Sequence, residues 1–402
     1  MMKRLIGMVM LASVFGGKVV HGQTLRLSEA LARAEKEYLG LQATQSQVSA
    51  ERALIPAAKD LPKTTMTGVF GGINSHNETD YSLNISQTFA LPAYYRAGQQ
   101  YYRARTEQAE SILNLQKYEL RQAVKQVYYD IIYLNEYHKL LQSEDSLFEK
   151  YYHAVTVHYQ AGGTSLLEKV NAENHVREIE SLLMGLEYDR KIAHRRLAFL
   201  LNSPDSVTVS PAESVRRSLP PAPNDSILTE NHPSLQPIKQ QISVAEQSLQ
   251  WETKKRLPEF NLGYMQQSFY QFYGVGHMLQ IGMNIPFYRK AYQARIESAQ
   301  EQLLATRKNY DFRYQEAQFN RQSAWMQVQR YQSLLAYYDT VALKQASLLL
   351  ESGIKNYQAG EISYLEYLMV KHEALAIRRN YLETLRNYNR SVIEWEGWLE
   401  GR

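Results

Sequence analysis

Two hydrophobic periods take turns along the chain. Over Tyr81–Phe89 the odd positions Tyr81, Leu83, Ile85 and Phe89 are apolar, and the even positions Ser82, Asn84, Ser86 and Thr88 are small and polar. Over Leu279–Ile285 the set Leu279, Ile281, Met283 and Ile285 alternates with Gln280, Gly282 and Asn284. Phe260, Leu262 and Tyr264 alternate with Glu259, Asn261 and Gly263, and Thr65–Ile73 is a weaker fourth case. A period of two predicts strands, and alternation over about ten residues is the pattern of membrane barrel strands. On that reading Tyr81, Leu83, Ile85, Leu279, Ile281 and Met283 face lipid. Taken singly, each segment would equally suit a half-buried strand of a soluble sheet.

The surroundings shift the balance. The loops Asn74–Asp80 and Gln267–His277 join the strands into hairpins over 64–91 and 259–287. Pro62 and Pro92 bracket the first and Pro258 and Pro286 the second, where proline ends a strand or starts a helix. Four strands do not close a barrel, and an open sheet edge is not viable in lipid. Strands of this kind in a membrane must be pooled from several chains.

The second period is that of long helices. Leu120, Val124, Val127, Ile131, Leu134, His138, Leu141, Asp145, Phe148, Tyr152, Val155 and Tyr159 recur at alternating steps of three and four. Only His138 and Asp145 break the apolar set, which predicts a sustained heptad seam. A helix over 97–159 would run roughly 95 Å. A more polar version follows at Tyr314, Ala317, Arg321, Ala324, Val328, Tyr331, Leu335, Tyr338, Ala342, Gln345 and Leu349. Rods of this length suit a tube built of helices better than a compact globule.

The phrase "YQAGGTSLLE" at Tyr159–Glu168 returns as "YQAGEISYLE" at Tyr357–Glu366, 198 residues later. Gly162, Gly163 and Gly360 interrupt the heptads, and Thr164, Ser165 and Ser363 offer N-cap oxygens to the helices that follow. Each phrase predicts a tight turn of a helical hairpin, at 160–165 and 358–363. Leu61-Pro62 is answered in the same way by Leu257-Pro258. The chain therefore divides into a first repeat over 23–201, a Pro/Ser/Asp-rich linker over 202–232, and a second repeat over 233–402. Two units indicate an internal duplication and not a solenoid. The fold class expected is mixed α/β.

Residues 1–22 read as a secretory signal peptide: Lys3 and Arg4, an apolar run from Leu5 to Phe15, then small residues. The alternative is an N-terminal anchor helix, but an apolar run of about 11 residues is short for a bilayer. Elsewhere no long apolar run predicts a transmembrane helix, and Cys is absent. Tyr, at 30 residues against 11 Phe and 4 Trp, suits half-wet surfaces such as membrane interfaces. A net charge of +4 is too balanced for a nucleic-acid footprint.

Catalytic and cofactor chemistry finds no residue set. Cys nucleophile, G-x-S-x-G, P-loop and H-E-x-x-H patterns are missing from the sequence. His153 and His158 are five apart and fall on different sides of a helix. No cofactor, metal ligand or enzyme activity is expected. Asn77-Glu78-Thr79 matches a glycosylation sequon, and a short exposed hairpin loop accounts for it equally. Phe269, Tyr270, Phe272 and Tyr273, with Tyr94, Tyr95, Phe287 and Tyr288 at the other strand ends, form either two interfacial girdles or packing at strand–helix junctions.

The order of these parts resembles the TolC family of outer-membrane efflux channels. "LSEALARAEKEYLGLQ" at Leu27–Gln42 is similar to the family's opening helix, "NHPSLQ" at Asn231–Gln236 to its second-half counterpart, and "ISQTFALP" at Ile85–Pro92 to the close of its first hairpin. The resemblance covers Thr24 to Glu400. It implies a homotrimer whose four strands per chain pool into one membrane β-barrel in outer-membrane lipid, continued by a coiled-coil α-barrel across the periplasm of a Gram-negative cell. It implies a passive exit duct served by a periplasmic membrane-fusion adaptor and an inner-membrane pump of the resistance-nodulation-division type. The adaptor would dock near the helical turns at Gly162, Gly163 and Gly360. "RALIPAAKDLPKT" and "GGTSLLEK" look like the heavy-metal efflux sub-group. The family also implies a lumenal acid at Glu366, with Glu168 as its first-half equivalent, forming a carboxylate gate at the narrow end. Met369 stands where a second acid is found, and Glu366 read on its own residues is an ordinary surface helical acid. The rival function is a soluble periplasmic coiled-coil adaptor or scaffold, which would not need two proline-bracketed amphipathic hairpins.

Overall fold

The computed structural model describes residues 24–73, 79–204, 207–222, 230–269 and 274–399, with the backbone alone described at Phe269. The expected signal peptide, the sequon residues Asn77 and Glu78, and Tyr270, Phe272 and Tyr273 lie outside the described residues.

In the first half, β1 (Thr24–Leu25), α1 (Leu27–Glu37) and α2 (Leu39–Ala53) lead through a 3-10 turn at Pro56–Lys59 to a hairpin, β2 (Thr65–Gly71) and β3 (Asp80–Ala90). Then come α3 (Pro92–Gln160) and α4 (Leu166–Leu200). After β4 (Thr208–Val209) the second half repeats the order: α5 (Gln236–Lys255), the hairpin β5 (Glu259–Phe269) and β6 (Gly274–Asn284), α6 (Lys290–Tyr337), α7 (Leu343–Gln358) and α8 (Tyr364–Leu399). Helix α3 opens with Pro92 in its first turn, where no N–H is needed, and its 69 residues run roughly 100 Å.

The heptad seam forms as the spacing predicts. Leu120, Val124, Val127, Ile131, Leu134, Leu141, Phe148 and Val155 of α3 are buried, and Tyr159 at the last turn is exposed. In the second half Ala317, Ala324, Val328, Leu335 and Ala342 are buried, but the next buried position is Ala346, not the expected Gln345. The cause is a π turn at Tyr338–Ala342, between α6 and α7. A π turn accommodates one residue more than an α turn, so everything after it shifts by one.

Two clusters hold the halves together. In the first, Ala30, Ala34, Leu41 and Val48 of α1 and α2 pack on Leu120, Val124 and Tyr128 of α3. The Tyr128 hydroxyl donates to Leu25 O at 2.9 Å and accepts from Ser210 N–H at 3.3 Å, fixing the parallel β1–β4 pair on α3. In the second, Val328 and Leu335 of α6 meet Leu385, Tyr388, Val392 and Trp395 of α8.

The described part of the linker is tied down. Asn389 donates to Val215 O at 2.8 Å and accepts from Arg217 N–H at 3.0 Å, and Trp395 Nε1 donates to Pro221 O at 3.0 Å. Its two arginines pair with different helices, Arg216 with Asp339 at 2.7 Å and Arg217 with Glu396 at 2.6 Å.

Candidate channel-forming surfaces

The four hairpin strands form one sheet in the order β2-β3-β5-β6, so each hairpin supplies two neighbours and β2 and β6 are its edges. Register aligns the apolar positions into rows: Met66, Ile85, Tyr264 and Leu279; Leu262 and Ile281; Phe89, Phe260 and Met283. Phe70 lies opposite Tyr81, and Leu83 lies between Gly68 and Gln266. All six expected lipid-facing residues share this face, on which Leu279 and Ile281 are each 79% exposed. From Tyr81 to Phe89 the strand rises roughly 27 Å, against about 25 Å for the apolar band of an outer-membrane barrel.

The opposite face is small and polar. Its rows are Thr65, Ser86, Gly263 and Gln280, then Thr88, Asn261 and Gly282. One row departs from the pattern, because Met265 and Met278 lie beside Thr67 and Asn84 there. Among the described residues no helix is long and apolar enough to cross a membrane. At the junctions Phe287 and Tyr288 are exposed, whereas Tyr94 packs on Trp251 and the Tyr95 hydroxyl accepts from Ala90 N–H at 3.0 Å.

The two repeated phrases fold identically. Gly162 has φ 73° and Gly360 φ 75°, the left-handed conformation that a Cβ disfavours. Gly163 N–H reaches His158 O at 2.8 Å and Gly162 N–H reaches Tyr159 O at 3.0 Å. In the second turn Glu361 N–H reaches Asn356 O at 2.9 Å and Gly360 N–H reaches Tyr357 O at 3.1 Å. Each is a Schellman motif satisfying the last carbonyls of its helix.

The acids that follow are caps. Ser363 Oγ accepts from Glu366 N–H at 3.2 Å, and a Glu366 carboxylate oxygen accepts from Ser363 N–H at 2.7 Å, a reciprocal capping box. Hydrogen bonds from the Ser363 N–H and then its hydroxyl hold the Glu366 carboxyl below the usual carboxylate range, so the exposed group stays ionised at the turn. In the first half Ser165 Oγ accepts from Glu168 N–H at 3.2 Å, and the Glu168 carboxylate accepts from the Thr164 hydroxyl. The S-x-x-E spacing in both phrases carries this signal, and reading the acids only as lumenal charges passes over it.

The histidines have structural neighbours. His138 meets Glu187 at 3.0 Å, His194 Nδ1 lies 2.7 Å from Val207 O, and His232 stacks on Trp398 with ring centroids 4.1 Å apart. His175 and His372 converge on Phe148 between the two helical hairpins, an association that no sequence spacing announces.

Comparison with known proteins places this geometry. The outer membrane efflux protein family matches residues 226–394. None of the curated proteins compared matches the chain. Among solved structures the fold is similar to that of CusC, with TM-score 0.78, 17% identity, and 93% of this chain and 91% of that one covered. It is similar to a membrane protein from Pseudomonas aeruginosa, with TM-score 0.80, 15% identity and 93% of each chain covered. A third likeness is to the MtrE outer membrane channel of Neisseria gonorrhoeae, with TM-score 0.75, 14% identity, and 93% and 88% covered. At such identities the structures establish the fold alone, and the family match lies in the second half. Residues 226–394 thus match the outer membrane efflux protein family, and the fold of the chain is similar to that of solved outer membrane channels.

Proposed function

We propose that three copies of this chain form an outer-membrane channel that serves as the passive exit duct of a tripartite efflux system. The observation that carries the reading is the four-stranded sheet: one face is largely apolar and uncovered, broken by Gln87, Gln266 and His277, and among the described residues both edges are unpaired. Lipid fits the face, and only further strands fit the edges. Three copies would supply twelve strands, the duplicated halves contributing two each.

The helices support the same assembly. Phe312, Phe319 and Met326 of α6 are exposed at seven-residue intervals, and Val341 and Leu348 continue the stripe because the π turn absorbs one extra residue. On the first-half side Tyr188, Ile192 and Phe199 of α4 are exposed as well. Two apolar edges on one chain suit a head-to-tail ring. The helical turns would then mark the periplasmic end, where the adaptor docks and the pump hands over its cargo, and the Glu366 carboxylates would form the charged constriction there. For the cargo we propose heavy-metal cations, on the likeness of the Arg52–Thr64 and Gly162–Lys169 segments to that sub-group. Reconstitution in a planar bilayer tests the duct: stepwise conductance from the purified protein supports it, and a silent bilayer from an intact trimer contradicts it. Metal sensitivity of a deletion strain tests the cargo.

A further inference from the structure

The two helical hairpins meet along α3 and α8, and near the turns this seam holds a group of rings that neither the caps nor the strand face account for. The Phe148 ring of α3 has its centroid 5.2 Å from that of His175 on α4 and 5.8 Å from that of His372 on α8. The two imidazoles are 6.2 Å apart. One triangle of rings thus joins three helices and both hairpins, among the buried side chains of Leu147, Leu368 and Leu375. A cavity of about 410 Å³ opens beside it, lined by Phe148, Tyr151, His175, Met369 and His372 among others.

Charged groups face the rings from every helix. Helix α3 contributes Glu144, 2% exposed, with one carboxylate oxygen lacking a hydrogen-bond partner. Helix α4 contributes Glu178, whose Oε2 lies 3.9 Å from His175 Nδ1. Helix α8 contributes Glu373 along the cavity wall and Arg379, which acts on both His372 and Glu144.

We propose that His175 and His372 form an acid-sensitive latch between the two hairpins, closed while the His372 imidazole is neutral and released when it takes up a proton. Neutral imidazoles pack against Phe148 as aromatic rings do. A His372 imidazolium, partly out of water and repelled by the Arg379 guanidinium, is disfavoured in the closed seam. Burial, then Arg379 and His175, hold the His372 imidazole below its ordinary 6.5, with Glu178 acting the other way. Opening the seam rehydrates His372, so the open form binds the proton better. The latch is therefore tight above about pH 6.5 and weakens as pH falls below it. Glu144 has the opposite sign: burial holds its carboxyl above the ordinary range, so its proton favours the closed seam. The His372 imidazole must outweigh it for acid to open the latch.

That the seam bounds a channel rests on the duct reading, but the latch can be measured without it. Amide hydrogen exchange, corrected for intrinsic rate, reads the protection of residues 144–152 and 366–376 in the detergent-solubilised protein at about pH 7.5 and about pH 5.5. In the wild type, protection should fall severalfold on acidification. It should hold steady in the His175→Gln, His372→Gln double variant and in His372→Phe, which keeps a ring in the triangle. An equal loss in both variants, or no loss in the wild type, overturns the latch. Conductance of the same samples separates the two claims: silence at both pH values contradicts the duct, while the exchange result still decides the latch.

Discussion

Ile85 and Tyr264 face each other across neighbouring strands, Met66 and Leu279 extend the row on either side, and all four side chains are exposed. A row of large apolar groups with no protein in front of it needs a non-aqueous neighbour. The same row on a chain that closed its own barrel would say less. On the proposed function the open edges add a second neighbour, another copy, beside lipid on the face.

Substitution by Arg separates the two faces. Ile281→Arg or Leu279→Arg should cost roughly 2–4 kcal/mol near the bilayer midplane and lower the yield of assembled protein. Asn84→Arg, on the polar face, should be milder. Yields of heat-resistant oligomer from the three variants, compared on a gel, check this. Equal losses would mean that the faces are misassigned.

The turns should tolerate change in the assembly and not in export. A Cβ at Gly162 or Gly360 would meet no atom within 4 Å, so the cost of Gly360→Val is that of the left-handed backbone alone, about 1–2 kcal/mol. Oligomer yield should be unchanged and export should fall, most in the double Gly162→Val, Gly360→Val variant. Normal export in that variant would remove the docking role from the turns.

Glu366→Gln isolates charge from structure. Glutamine keeps the capping box with Ser363, so the turn should stay folded while its carboxylate is lost. Cation preference in a planar bilayer should fall, along with block by trivalent cations. Unchanged selectivity would leave Glu366 as a cap only.

His232 should make the helical body acid-labile. It lies between Tyr118 and Trp398, with Nδ1 2.7 Å from Ser234 Oγ, and burial pushes its imidazole down to about 4 from 6.5. The unfolded chain binds this proton more readily, so stability is full above about pH 6.5 and falls as pH drops towards about 4, by roughly 3 kcal/mol in all. Thermal midpoints across that range should slope downward in the wild type and flatten in His232→Phe. Parallel slopes would assign the acid lability elsewhere.

The sequence makes some of this plain and hides the rest for physical reasons. Strand faces are legible because a period of two leaves only one choice of side, and Leu83 and Ile281 needed nothing more. The α3 seam is legible because its three-four spacing runs from Leu120 to Val155 with only His138 and Asp145 outside the apolar set. The switch from Gln345 to Ala346 is not, since a π turn has no signature in composition and shifts every later position. The row of Met265 and Met278 on the polar face breaks alternation without a local cue. The ring triangle joins positions 148, 175 and 372, which only the docking of two hairpins brings together. The N-caps at Ser165 and Ser363 are legible from spacing alone.

The number of chains in the membrane-extracted particle tests the central claim most directly. Light scattering or native mass spectrometry of the protein in detergent should give three chains, retained after carbonate washing of the membranes. A single chain, or protein released by that wash, would contradict a barrel pooled from three copies.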